Sequence, residues 1–244
     1  MKLPIACSQC MQENVSLNML VTVEFQDNGR YEIRCPKGHS SITVLQQQKF
    51  EILFEIGAHA IIDGYYREAV SSFTSALERF YEFFIKVICS SKQIEWPNIE
   101  NAWKDVSSQS ERQLGAFIFL HLLETGCKPV LLNNNKIKFR NDVIHKGKIP
   151  NKEQAIEYGQ AILNVIRPLL LMLNQKYSET VSTATTQHLD QARNPSVQDS
   201  PASTMWIPTI LGLANDKPSD NIINLSEEIE ELRCRVDDLR SLSE

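Results

Sequence analysis

Apolar and polar positions alternate with two different periods along this chain. Up to about residue 46 the period is that of strands. Val21-Thr22-Val23 lies within an apolar stretch from Leu17 to Phe25, Tyr31-Glu32-Ile33 alternates, and Ile42-Thr43-Val44 closes the segment. Asp27-Asn28-Gly29 between the first two runs is a strong hairpin turn signal, with the Tyr31 run as the return strand. From Lys49 the period becomes helical. The pattern predicts a helix over Lys49–Ile62, a stop at Asp63-Gly64, and a long helix over Tyr65–Ser90. That long helix carries Tyr66, Val70, Phe73, Leu77, Phe80, Phe84 and Val87 along one stripe. Weaker helices follow near 98–107 and 110–125, ended by Gly126 and Pro129. Asn133 to Asn135 can cap a helix running to about Lys146. The last long helix runs from Lys152 to about Tyr177, with Ile156, Gly159, Leu163, Ile166, Leu170 and Leu173 on one face and a kink expected at Pro168.

Residues 178–203 are rich in Ser, Thr, Gln, Asp and Pro, and read as a flexible linker. Residues 204–244 form a docking segment and an amphipathic helix. Met205-Trp206-Ile207-Pro208-Thr209-Ile210-Leu211 is an apolar island that can dock on the bundle, on a sister chain or on a partner. Leu225, Ile229, Leu232, Val236 and Leu239 form a coiled-coil-like seam over residues 225–240, suited to pairing with a second copy. Glu227, Glu228, Glu230 and Glu231 would also allow this helix to lie as an acidic lid over a basic cleft, with dimerisation the preferred reading. The expected organisation is therefore a small β unit over 1–46, a helical bundle over 49–177, the linker, and the tail.

The 244 residues, 42% of them apolar, suffice for one medium core and a small satellite. A net charge of −5 means that nucleic-acid binding would need a local basic patch. The N-terminus lacks the apolar run of a signal peptide. Ala161–Leu173 is too short and too interrupted to span a bilayer, so a cytoplasmic protein without membrane contact is expected.

Cys7-Ser8-Gln9-Cys10 and Cys35-Pro36-Lys37-Gly38-His39 supply three thiols and one imidazole on two knuckles. This donor set suits tetrahedral Zn²⁺, and with all four positions filled by protein the ion would be structural. In so small a segment, metal binding would supply the folding energy. Cys89, Cys127 and Cys234 are scattered and need no disulfide.

Phe139-Arg140-Asn141-Asp142-Val143-Ile144-His145 contains Arg-Asn-x-x-x-His. With the upstream aromatic helix around Ala76-Leu77-Glu78-Arg79-Phe80, the Lys146-Gly147-Lys148 loop and the final long helix, it resembles the Arg-x4-6-His signature and helix order of HEPN domains. The likeness covers roughly 49–177. It implies a mainly α fold, a HEPN-like bundle preceded by a small β zinc ribbon. It also implies a homodimer with two motifs facing across a cleft, and in many members an RNA-cutting activity in toxin–antitoxin or anti-phage systems.

The chemistry of the motif agrees. A histidine can serve as base or acid near neutral pH, and an arginine offers planar, permanent donors to phosphate. Arg140, Asn141 and His145 are thus the candidate catalytic residues, with Glu78 a possible orienting carboxylate. Lys136, Lys138, Lys146 and Lys148 are candidate RNA contacts. Together with Arg140 and Lys152 they stand against one acid, Asp142, in a stretch of an otherwise acidic chain. His59, His121 and His188 have no motif beside them. The expected function is a metal-independent endoribonuclease. A non-catalytic RNA-binding or sensor module, or a protein-interaction adaptor using the Trp206 segment and residues 225–240, stands as the alternative.

Overall fold

In the computed structural model of the chain, residues 2–13, 20–193, 202–213 and 223–241 are described, the last with side chains to residue 238. The fold is mainly helical with small sheets. Two units divide it: residues 1–48 with 182–208, and residues 49–181 with 209–244.

In the first unit, β1 (Lys2–Ala6) leads into a short helix α1 (Ser8–Gln12), and β2 (Leu20–Glu24) returns antiparallel to β1 with Leu3 opposite Val23 and Ile5 opposite Val21. Leu3 and Ile5 are buried, which selects this register. β3 (Arg30–Arg34) pairs antiparallel with β4 (Ser40–Leu45). The hairpin expected across Asp27-Asn28-Gly29 is therefore corrected. The turn forms, with Gly29 at φ +63° donating its N–H to the Gln26 carbonyl at 3.1 Å, but it passes the chain from one sheet to the other. The reason is β1, whose apolar Leu3 and Ile5 claim β2 as their partner. Leu17–Met19, at the start of the expected strand, lie outside the described residues.

The second unit is built on α2 (Lys49–Ile62) and α3 (Tyr66–Ser91), which pack along their length. Phe50 meets Phe80 edge-on at 5.4 Å, and Phe54 meets Phe73 at 4.7 Å. Phe73 is the tight point. A Cβ at Gly57 would stand 2.6 Å from its ring, and one at Gly159 2.7 Å from the opposite edge. Glycine at both positions lets two helices close on one buried aromatic. α4 (Trp96–Val106) and α5 (Ser110–Thr125) follow, the latter stopped by Gly126 in the left-handed region at φ +73°. Phe117 of α5 stacks on Tyr81 at 4.3 Å and meets Phe84 edge-on. α6 (Asn134–His145) starts on the Asn133 side chain, which accepts the Lys136 N–H at 3.0 Å.

α7 (Lys152–Arg193) continues well past the expected end near Tyr177. Its backbone leaves helical geometry at Tyr177 (φ −133°, ψ 29°), whereas Pro168 is accommodated within the helix. The flexible linker over 178–203 is thus corrected on both sides of residues 194–201, which lie outside the described residues. Ser178–Arg193 is helical, and β5 (Ala202–Met205) runs parallel to β4 with Thr43 opposite Ser203. Both belong to the first unit from Ser182 onward. A sparse stripe of Val181, Ala184, His188 and Ala192 drives the helix. Ala192 and Leu189 pack on Ile42 and Val44, and His188 Nε2 lies 3.1 Å from the Leu45 carbonyl. The Arg30 guanidinium reaches the Arg193 carbonyl at the helix end.

The tail folds into the second unit. Ile210 and Leu211 are buried, the N–H of Ile210 is accepted by Glu55 at 3.0 Å, and that of Leu213 by Glu51 at 3.0 Å. α8 (Leu225–Ser241) begins where Gln160 accepts the Leu225 N–H at 2.7 Å. Leu225, Ile229 and Leu232 of the expected seam are buried within the chain itself, with α8 packed on α2. The Leu239 side chain lies outside the described residues. α7 has the length and composition to cross a membrane, but half of its most apolar stretch is buried in the fold.

Candidate functional site

Two groups of side chains carry chemistry, one in each unit. In the first, Cys7 precedes α1, Cys10 lies within it, and Cys35 and His39 flank the turn between β3 and β4. Cys35 donates its N–H to the His39 carbonyl at 3.0 Å, Gly38 donates to the Cys35 carbonyl at 2.8 Å, and Gly38 sits at φ +87°. The left-handed glycine turns the chain so that residue 39 points back at residue 35.

The ligand atoms of Cys7, Cys10, Cys35 and His39 all lie within 4.8 Å of one another, a group that can hold a metal ion. The Sγ atoms of Cys10 and Cys35 are 3.7 Å apart, and His39 Nδ1 is 3.4 Å from Cys10 Sγ and 3.8 Å from Cys7 Sγ. The three sulfurs are buried with Val21 against them. Burial, joined by hydrogen bonds from Cys35 and Cys7, pushes the Cys10 thiol up to about 11. At Cys35 burial acts the same way but is outweighed by the backbone N–H groups of His39 and Lys37, so its thiol is lowered. Were these thiols deprotonated together in so small a buried space, a bound cation would offset their mutual repulsion.

In the second unit, α6 presents the Arg140 motif. Val143 is fully buried and Phe139 packs on Tyr158 at 5.7 Å, so one face of α6 is anchored. Arg140 and Asn141 are half-buried beside that face, while His145, at the last turn, is exposed. Glu78 of α3 lies within electrostatic reach of Arg140. Burial raises the Glu78 carboxyl, Arg140 and Arg79 oppose the rise, and Glu111 adds to it. The Tyr158 hydroxyl, bonded to Thr74 at 2.8 Å, lies in the same field: burial raises it, and Thr74 and Arg140 lower it.

The lysines divide into two kinds. Lys136 pairs with Glu157 at 2.6 Å and Lys146 with Asp142 at 2.8 Å. Lys148 is folded back by its N–H to the Asp142 carbonyl, its ammonium 5.0 Å above the Phe139 ring. Lys138 is exposed. The Asp142 carboxyl is held below its ordinary value by the Lys146 hydrogen bond against a smaller effect of burial, with Lys138 and Lys148 adding to the lowering. Lys152 of α7 reaches Glu230 of α8 at 3.9 Å.

Other histidines serve structure: His121 stacks near Phe84 and sits 3.0 Å from the Cys127 carbonyl, and His188 holds β4. Sequence reading passed over Glu13, Tyr158 and the Glu51–Glu55 pair. Only the last left a signal, two acids four residues apart in a largely apolar helix.

Compared with known protein families, curated proteins and solved structures, the chain matches none of them.

Proposed function

We propose that the chain is a HEPN-type endoribonuclease that cuts RNA without a catalytic metal, acting as a homodimer in the cytoplasm, and that Cys7, Cys10, Cys35 and His39 form a structural zinc site. The observation that carries the nuclease reading is the placement on α6 of half-buried Arg140 and Asn141 with exposed His145, Arg140 lying within electrostatic reach of Glu78 on α3. The guanidinium of Arg140 offers planar, permanent donors that suit a phosphate. His145 takes the proton from the RNA 2′-hydroxyl, whose oxygen attacks the adjacent phosphorus. The P–O5′ bond breaks, and the departing oxygen receives a proton from His145 of the second copy. Arg140 shares the charge of the phosphorane. Products are a 2′,3′-cyclic phosphate and a 5′-hydroxyl. The family resemblance adds a toxin or anti-phage role.

The zinc reading is supported by distances. Bonds of about 2.3 Å to sulfur and about 2.0–2.1 Å to nitrogen place tetrahedral ligands about 3.8 Å apart for two sulfurs and about 3.6 Å for sulfur and nitrogen. The observed separations of 3.7, 3.8 and 3.4 Å fit these edges. With four protein donors the ion has no open position, so it organises the first unit and takes no part in RNA cutting.

A second reading, a non-catalytic RNA-binding module or a protein adaptor, is kept: the partnering of Lys136 and Lys146 by Glu157 and Asp142 favours the adaptor, as does Trp206, which stays 45% exposed just beyond β5. The deciding experiment is incubation of total RNA with purified protein in EDTA, zinc retention being checked, beside His145→Ala and Arg140→Ala. Cleavage to cyclic-phosphate ends that both substitutions abolish supports the nuclease. RNA binding without cleavage, weakened by Arg140→Ala, favours the binding module.

A further inference from the structure

His39 turns Nδ1 toward the sulfurs of Cys10 and Cys7, so its other ring nitrogen faces away from them. There Nε2 meets the Glu13 carboxylate, with Oε1 at 3.7 Å. The second oxygen, Oε2, is 3.9 Å from the Lys37 ammonium. Glu13 is set by its own backbone: as the residue closing α1 it donates its N–H to the Gln9 carbonyl at 3.1 Å. One carboxylate at the end of the first knuckle therefore lies within ion-pair distance of two residues of the second, from a position three residues beyond Cys10.

An imidazole that gives one nitrogen to a metal must carry its proton on the other, and whatever stands beside that other nitrogen decides the tautomer. A carboxylate stabilises an N–H there and repels a bare lone pair. We propose that Glu13 is a positioning residue for the metal centre: its carboxylate holds the His39 proton on Nε2 and so presents Nδ1 to zinc. The inference rests on the zinc reading above. It assigns His39 the nitrogen by which it binds, and gives the imidazole a partner beyond the left-handed turn at Gly38. Lys37, on the far oxygen, steadies the carboxylate and also limits its own approach to a cationic site.

The test uses the full chain loaded with zinc. Zinc affinity is measured by competition with a chromogenic chelator for wild type, Glu13→Ala and Glu13→Gln, and long-range ¹H–¹⁵N spectra of the His39 ring report which nitrogen is metal-bound. Partners of metal-bound histidines contribute roughly 10–100-fold to affinity; for half-exposed Glu13 the lower end, about tenfold, is expected on change to alanine. Glutamine keeps an oxygen that can accept from Nε2–H and should restore most of the affinity. In wild type Nδ1 is bound and Nε2 carries the proton; in Glu13→Ala exchange of that proton with water quickens. A tetrahedral cobalt spectrum in each variant shows that the site itself has survived. Wild-type binding through Nε2, or an alanine variant with wild-type affinity and exchange, overturns the proposal and leaves the zinc site standing. A wild-type chain that takes up no zinc removes the zinc reading and the proposal together.

Discussion

The Glu55 carboxylate accepts the backbone N–H of Ile210 at 3.0 Å from within a largely apolar helix. Four residues earlier, Glu51 does the same for Leu213. A crossing segment of irregular chain has amide donors that must be met once it is buried, and two carboxylates one turn apart meet two of them. This is how the tail after residue 208 joins the bundle, with Asn174 donating to the Leu213 carbonyl at 2.9 Å.

Burial raises Glu55 from near 4.5 to about 7. The Ile210 N–H and the Arg235 guanidinium at 3.9 Å oppose the rise, and Glu228 adds to it. A folded-state value above the unfolded one gives stability that is complete below about pH 4.5 and is lost as pH rises through about 7. Tail docking should therefore weaken from pH 5 to pH 8, by on the order of 2 kcal/mol. Glu55→Gln, which keeps an accepting oxygen without the titration, should remove this part of the dependence. Hydrogen exchange of residues 209–213 across that range is the measurement. Parallel pH curves for variant and wild type would falsify the assignment.

Phe73 is held between Gly57 and Gly159, each too close to its ring to carry a methyl group. Gly57→Ala and Gly159→Ala should each destabilise by about 1–3 kcal/mol from overpacking, against a gain of about 1 kcal/mol in helix propensity. The net loss in urea unfolding should shrink when Phe73 is cut to leucine in the same chain. For Gly159→Ala, whose added carbon would also meet Leu225 at 2.6 Å, proteolysis of α8 should quicken.

Removing any of the four clustered ligands should abolish tight zinc binding, whereas Cys89→Ser, Cys127→Ser and Cys234→Ser should leave one zinc per chain. Because Ala192 and Leu189 complete the packing on Ile42 and Val44, and β5 adds to β4, a fragment of residues 1–48 should fold poorly even with zinc. Its β3 and β4 amides should exchange much faster than in the full chain. A fragment with wild-type protection would mean that the helix end and β5 are dispensable.

If the chain acts on RNA as proposed, the lysines already partnered should matter least to its binding. Lys138→Ala and Lys148→Ala should each lower affinity and reduce the salt slope by about 0.7 per lost single-strand contact, while Lys136→Ala and Lys146→Ala should act more weakly. Equal effects at all four, measured by titration at several salt concentrations, would show that Glu157 and Asp142 release their lysines on binding.

Sequence alone determined the helices whose stripes are strong and whose ends are marked: the aromatic seam of α3, the Asn133 cap of α6 and the glycine stop after α5. It also marked Cys7–Cys10 and Cys35–His39 as two ligand pairs, since spacing within a knuckle is a local property; that the two knuckles meet was decided by the fold. Periodicity and capping act over a few residues, so one chain segment suffices to read them. Strand pairing, the fate of residues 178–205 and the tail were decided by tertiary structure. β2 could pair with β1 or β3, and only the burial of Leu3 and Ile5 chooses. Ala184, His188, Leu189 and Ala192 make too sparse a stripe to announce a helix, and the surface that Leu189 and Ala192 find on Ile42 and Val44 comes from distant sequence. The seam of α8 looked ready for a second copy, yet Leu225, Ile229 and Leu232 found their burial within the chain, because Gly159 leaves Leu225 a place to enter. Hydrophobic burial has no direction of its own, so which surface satisfies it is a matter of the whole fold.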